Sequence, residues 1–378
     1  MVHIGLQGKV VSQDNLPASN LVFLIDASGS MSSSDKLLLL KNAFKILIGQ
    51  LREQDKIAIV VYAGAAGLVL PSTSGKDKRK ILDALDQLQA GGSTASGAGI
   101  KLAYKVGMES FKKGENNRVI LATDGDFNVG ASSDSEMTRL IEEKRKTGIF
   151  LTCLGSGNYQ DSKMEQLSNK GNGNYAYIDS KKEADKVFAK EFGGTLFTIA
   201  KDVKLQVEFN PKKVQAYRLI GYENRLLNDE DFKDDKKNAG ELGSGHTVTA
   251  LYELIPVGVK SQFTKKLPKL KYSKQVANTE IPDNELFHVK FRYKQPDASK
   301  SKLIEVSVND SEQSWKNTSE NFRFSASVAA FGMHLRDSKF LEGMSKKSII
   351  ALANGAKGKD ENGYRKEFVG FVEKVKAL

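Results

Sequence analysis

Within residues 21 to 36, "LVFLIDASGSMSSSDK", an apolar run ends on Asp26 and is followed by Ser28 and Ser30 at alternate positions. Gly29 permits a tight backbone between the two serines, so both hydroxyls can turn toward one point near the carboxylate. Two further segments offer matching oxygens: "AGGSTASGAG" carries Thr94 in a glycine-rich turn, and "LATDGDFNVG" carries Asp124 at the end of another apolar run. Two carboxylates and three hydroxyls form an oxygen cage. Such a cage suits Mg²⁺, which takes about six hard oxygens at roughly 2.0–2.1 Å, with Mn²⁺ or Ca²⁺ as alternatives. Without nitrogen or sulfur donors, Zn²⁺ is disfavoured. Neutral hydroxyls leave the ion under-neutralised, so a carboxylate from a partner protein could complete its shell.

Other chemistry fits these residues less well. Asp26 and its serines could simply cap a helix, since both residue types favour that position, but Thr94 and Asp124 would then be coincidental. The run "GGSTASGAG" has Ala98 after Gly97, where a phosphate loop requires Gly-Lys-Ser/Thr. No Gly-x-Ser-x-Gly elbow occurs, and His3, His246, His288 and His334 all lie away from these loops, which argues against a hydrolase triad. Asp126 and Asn128 are either outer groups holding waters or plain turn residues, and Phe127 between them is either tucked under the loop or a contact residue on its rim. The acidic "NDEDFKDD", residues 228 to 235, lacks the turn glycine of an EF-hand and reads as a solvated loop.

The elements that must position the cage are legible from periodicity. Residues 20–26, 56–63, 117–124, 149–155 and 174–179 are short, β-branched or aromatic runs with little polar alternation, as strands buried on both faces are. Between them, apolar residues recur at three and four, the mark of amphipathic helices. Alternating strands and helices predict a doubly wound, mostly parallel α/β sheet, in which ligands sit beyond the carboxyl ends of the strands. A helix over "KKEADKVFAKEFGGTLFTIA" should run out through Gly193 and Gly194. Beyond about residue 200, "DVKLQVEF", "VQAYRLIGY", "GHTVTALYELIPV", "LFHVKFRYK" and "KLIEVSV" alternate apolar and polar residues, predicting half-exposed antiparallel strands and a β-sandwich. The early "VHIGLQGKVV" alternates in the same way and has no partner nearby, so it is expected to join that second sheet. The expected organisation is an N-terminal strand in residues 1–17, the α/β domain in 18–197 as an insertion, the β-sandwich in 198–323 and a helical segment in 324–378.

Composition narrows the partners. The 378 residues carry 57 Lys+Arg against 46 Asp+Glu, a net charge of +11 with both signs interspersed. The densest basic run, "KSQFTKKLPKLKYSK" at residues 260–274, has no nucleic-acid motif beside it and reads as a lysine-protected edge or loop. The single Cys153 excludes an intrachain disulfide. No apolar stretch approaches the ~20 residues that span a bilayer, and the first residues lack the pattern of a signal peptide. A soluble chain that binds no nucleic acid is expected.

The segments "DASGSMSSS", "GGSTASGAGI" and "ATDGDFNVG" together resemble the metal-ion-dependent adhesion site of von Willebrand factor A domains: Asp-x-Ser-x-Ser, a distant Thr, then an Asp before Gly, in that order. Ala27 stands where Val is common, and the "LGSGNYQD" loop is shorter than is usual, which would alter the rim. The likeness extends through "IGLQGK", "GNGNYAYIDS", "KDVKLQVEFNP", "YRLIGYENR" and the terminal "GYRKEFVGFVEKVKAL", which resemble bacterial A-domain proteins labelled calcium-activated chloride channel homologues, some of them lipoproteins. That resemblance implies Asp26, Ser28, Ser30, Thr94 and Asp124 as metal residues, with the two aspartates acting largely through bound water. It also implies a non-enzymatic adhesion or scaffold role and a periplasmic or cell-surface location, membrane-anchored in the parent protein. The alternative function is a Mg²⁺-dependent phosphate hydrolase, for which the sequence offers no nucleophile or base beyond the ligands themselves.

Overall fold

The computed structural model describes residues 1–92, 96–125, 134–157, 161–191, 196–222, 225–237, 239–264, 282–296, 298–311, 313–341 and 343–375. After strand β1 (Val2–Gln7), β2 (Ser19–Asp26) leads through short turns into helix α1 (Leu39–Gln50). Then follow β3 (Lys56–Tyr62), β4 (Ala66–Ser74), α2 (Lys78–Asp86), α3 (Ser96–Glu109), β5 (Asn116–Thr123), α4 (Asp134–Lys146), β6 (Phe150–Gly155), α5 (Asp161–Lys170), β7 (Tyr175–Tyr177) and α6 (Lys181–Asp185).

Six of these strands form one sheet in the order β4-β3-β2-β5-β6-β7. All its pairings are parallel except β3 with β4, so the sheet is mixed. Every residue of β2 is buried, and its side chains alternate between two apolar layers. Leu21, Phe23 and Ile25 pack with Phe44 of α1, Leu85 of α2 and Ala184 of α6. Val22 and Leu24 pack with Tyr104 of α3, Ile141 of α4 and Met164 of α5. The period of two sends successive side chains to opposite faces, and helices on both faces explain why the strand carries no polar alternation. Strand β4 was not foreseen, because Pro71 and two pairing irregularities interrupt its pattern. The expected single helix after residue 180 is instead α6 followed by a π-helical turn, Lys186–Lys190, and Gly193 and Gly194 lie outside the described residues.

The remainder is antiparallel: β8 (Thr198–Phe209), β9 (Val214–Ile220), β10 (Gly240–Gly243), β11 (Thr247–Pro256), β12 (Glu285–Lys294) and β13 (Lys302–Asn309). They form sheets β1-β11-β9 and β10-β8-β12-β13. The N-terminal strand pairs with β11 from Val2 opposite Tyr252 to Gln7 opposite Thr247, so the α/β domain lies in sequence between two paired strands. Val2, Phe209, Val214 and Phe287 form a small apolar core shared by the two sheets. Edge strand β13 was expected to be half-exposed, but nearly every position is open, including Leu303, Ile304 and Val306. Of the basic run, only residues 260–264 fall among those described. Helices α7 (Glu320–Leu335), α8 (Lys346–Asn354) and α9 (Tyr364–Lys374) close the chain around Ala330, Ile349 and Val372.

Ionisable groups also stand where the α/β domain meets the antiparallel region. The guanidinium of Arg118, at the start of β5, is fully buried and donates to Thr152 Oγ1 at 2.7 Å and the Leu196 carbonyl at 3.3 Å. Glu241 of β10 accepts from Asn172 at 3.0 Å through Oε1, while its Oε2 is buried. Burial pushes the Glu241 carboxyl up to about 8, against the pull of Arg118. The folded protein therefore retains a proton that the unfolded chain releases at the ordinary glutamate pKa, so stability falls as pH rises from that value through about 8. Wild type should lose about 5 °C of melting temperature across this window through Glu241. Glu241→Gln should flatten that component in calorimetric melts, and an equal loss in the variant would assign the pH dependence to other groups.

Candidate functional site

The carboxyl ends of β2, β3, β5 and β6 bring Asp26, Tyr62, Thr123, Asp124 and Ser156 to one edge of the six-stranded sheet. Asp26 is 0% exposed, and both its oxygens are engaged by neutral donors. Oδ1 accepts from the Ser28 N–H at 2.9 Å, and Oδ2 accepts from the Tyr62 hydroxyl at 3.1 Å and from Thr123 Oγ1 at 2.9 Å. Desolvation raises its pKa, opposed by the bonds from Ser28, Thr123 and Tyr62. Burial, reinforced by the Asp26 charge, holds the Tyr62 phenol well above its ordinary range, so it stays a donor.

Ser28 Oγ and Ser30 Oγ lie 3.1 Å apart. Ser28 precedes the 3-10 turn Gly29–Ser32, yet its side chain makes no capping bond, so capping is not what this serine does. The loop is tied to the next one by Gly29 N–H to the Gly92 carbonyl at 3.0 Å and Gly91 N–H to the Ala27 carbonyl at 2.8 Å. Gly92 has φ +79°, and a Cβ there would come 3.1 Å from the Gly64 nitrogen, so glycine is needed where this loop turns. Asp124 is 3% exposed, and its Oδ2 accepts from Lys36 Nζ at 2.9 Å. Next to it, the Ser156 N–H reaches the Thr123 carbonyl at 3.2 Å, while the Ser156 hydroxyl is buried and has no hydrogen-bond partner among the described residues.

Asp26, Ser28, Ser30 and Asp124 thus meet at one edge. Thr94, Asp126, Phe127 and Asn128 lie outside the described residues. Among the described residues no three His, Cys, Asp or Glu side chains gather in a metal-binding group, so a cation here depends on hydroxyls as well as the two carboxylates. The donors of Asp26, Ser28, Ser30 and Asp124 are all oxygen, and this set fits Mg²⁺. Tyr62, Thr123, Lys36 and Ser156 were not singled out from sequence. Thr123 directly precedes Asp124 and could have been found from that adjacency, whereas Lys36 resembles any helix-surface lysine. The acidic 228–235 segment is less solvated than expected: Asp231 and Phe232 are buried, and buried Lys204 donates to the Asp231 and Asp234 carbonyls at 2.8 and 2.6 Å. A lysine already fills that turn.

Residues 20–190 match the von Willebrand factor type A (VWA) domain, and residues 194–378 match the C-terminal region of the uncharacterized protein YfbK. YfbK of Escherichia coli (strain K12) is 43% identical over 384 residues, covering 99% of this chain and 64% of the relative. This is a VWA-domain protein of the YfbK family. The chain therefore spans 64% of the length of that relative. Calcium-activated chloride channel regulator 1 of Bos taurus is 26% identical over 41% of the chain and 17% of its own length. Among solved structures, a von Willebrand factor type A protein from Catenulispora acidiphila aligns over 99% of this chain and 89% of its own with a TM-score of 0.52 and 15% identity, a likeness of fold. VWA domains are commonly protein-binding modules, and the edge described above is the carboxyl-terminal edge of this one.

Proposed function

We propose that the chain is a metal-dependent protein-binding module that holds Mg²⁺ at the carboxyl edge of its VWA sheet and captures an acidic side chain of a partner protein. The observation that carries this is the buried Asp26 carboxylate, fixed by three neutral donors beside the paired Ser28 and Ser30 hydroxyls and Asp124. Asp26, Ser28, Ser30 and Asp124 would hold the ion with Thr94, and Asp126, Phe127 and Asn128 would form the rim. Bound there, Mg²⁺ would supply an electropositive coordination position open to a carboxylate. Asp26 acts as a fixed anchor: both oxygens are already bonded, so it is poorly placed to take a proton from a substrate, which favours binding over hydrolysis. A role as a scaffold presented on a β-sandwich outside the cytoplasm, anchored to a membrane in the parent protein, rests on the family likeness. Among the described residues no helix is long and apolar enough to cross a membrane.

A random-sequence peptide display probed with the protein in Mg²⁺ tests this. Retained peptides should be enriched in Asp and Glu, released by EDTA, and lost with Ser30→Ala. Retention that ignores EDTA would move recognition to the antiparallel region or the terminal helices. Mg²⁺-dependent release of phosphate from an aryl phosphate would favour the hydrolase.

A further inference from the structure

Lys36 places a positive charge of the chain's own at this edge. Its Nζ donates to Asp124 Oδ2 at 2.9 Å and to the Ser30 carbonyl at 3.0 Å, linking the Asp-x-Ser-x-Ser loop to the Asp124 loop. The side chain is 19% exposed. Its stem runs against Gly157, where a Cβ would come 2.6 Å from Cε and 3.1 Å from Cγ. Gly157 has φ +67°, and its carbonyl accepts from the Tyr177 hydroxyl at 3.0 Å, so the loop above the stem is pinned. Lys36 itself lies in a π-helical turn, Ser34–Leu38, ahead of α1. Such turns are rare and often mark functional sites, because the extra residue re-aims the side chains around it.

The geometry points to Lys36 as a tethered cation that competes with the metal for Asp124 and thereby sets the affinity of the site. This rests on the metal-binding role proposed above. An ammonium bonded to Asp124 and a divalent ion drawing on the same carboxylate repel strongly in a partly buried edge. The ion therefore enters only as Lys36 Nζ leaves Asp124. Until then the lysine keeps the two loops together and offsets the charge of a buried carboxylate, and displacing it makes metal binding a change in the surface the partner meets.

Calorimetric titration of the whole chain with Mg²⁺ tests this, using Lys36→Met, which keeps an apolar stem under Gly157 without the charge, and Lys36→Arg, which keeps the charge. Lys36→Met should bind Mg²⁺ about 10-fold tighter or more, while Lys36→Arg stays near wild type. In wild type, Mg²⁺ should speed acylation of Lys36 Nζ, followed by peptide mass spectrometry, which needs no variant to fold. If wild type binds Mg²⁺ but Lys36→Met binds no more tightly and the acylation rate ignores the metal, the competition is wrong and the metal site stands. If no form of the chain binds Mg²⁺, both proposals fall together.

Discussion

Asp26→Ala should lower Mg²⁺ affinity, read by calorimetry, by about 100-fold or more, the upper end of what loss of a supporting group costs a metal site. The proposed ligand set contains two carboxylates, and Asp124 is shared with Lys36. Asp26 is the one engaged by neutral donors on both oxygens and wholly withdrawn from water. Its removal leaves mainly neutral hydroxyls, which do not offset the cost of dehydrating Mg²⁺. The effect on folding is smaller because two terms oppose. Alanine relieves the burial of a desolvated charge, yet removes the carboxylate to which the Tyr62 and Thr123 hydroxyls donate, a loss of about 1–3 kcal/mol. Asp26→Asn separates them, since it removes the charge and keeps an acceptor oxygen: Mg²⁺ binding should still be lost, with stability closer to wild type than in the alanine variant. Wild-type affinity in both variants would move the metal site elsewhere in the chain.

Gly8→Val destabilises the antiparallel region by about 3 kcal/mol, at the upper end of what forcing extra bulk into a packed site costs. A Cβ at Gly8 would stand 2.4 Å from the Gly243 carbonyl oxygen and 3.0 Å from Ile199 Cδ1. The first of these is backbone and cannot rotate away. The same residue donates its N–H to the His246 carbonyl at 2.8 Å, and beyond it the Val11 N–H reaches Ser244 Oγ at 2.8 Å. The clash therefore pries the N-terminal segment from the β10–β11 turn and loosens β1 on β11, leaving a two-stranded remnant that is marginal in water. Hydrogen exchange should accelerate in β1, β9 and β11 while β2 and β5 keep their protection. Gly5→Ala is the control, because a Cβ there meets only His3 Cε1 at 3.7 Å. Exchange that loosened the six-stranded sheet alone, or equal effects from the two substitutions, would refute the role given to this junction.

Sequence alone determined the α/β layering, because burial on both faces leaves a signature that needs no partner: "LVFLI" carries no polar residue, and β2 proves buried at every position. It also determined Asp26, Ser28, Ser30 and Asp124 as one group, because residues that end parallel strands arrive at the same edge whatever the details of packing. Strand β4 was not legible, since an antiparallel edge strand with Pro71 and pairing irregularities has no clean period. Nor was the exposure of β13 on both faces, because an alternating pattern predicts one covered face and cannot say whether anything packs over it. Only the tertiary structure decided who else stands at this edge. Tyr62 and Thr123 bond to Asp26 because β3 and β5 flank β2, an order that local sequence does not encode. Lys36 reaches Asp124, 88 positions away, only because a π-helical turn and Gly157 aim and seat its stem. A lysine's partner is set by where its flexible chain is held, and that is a property of packing.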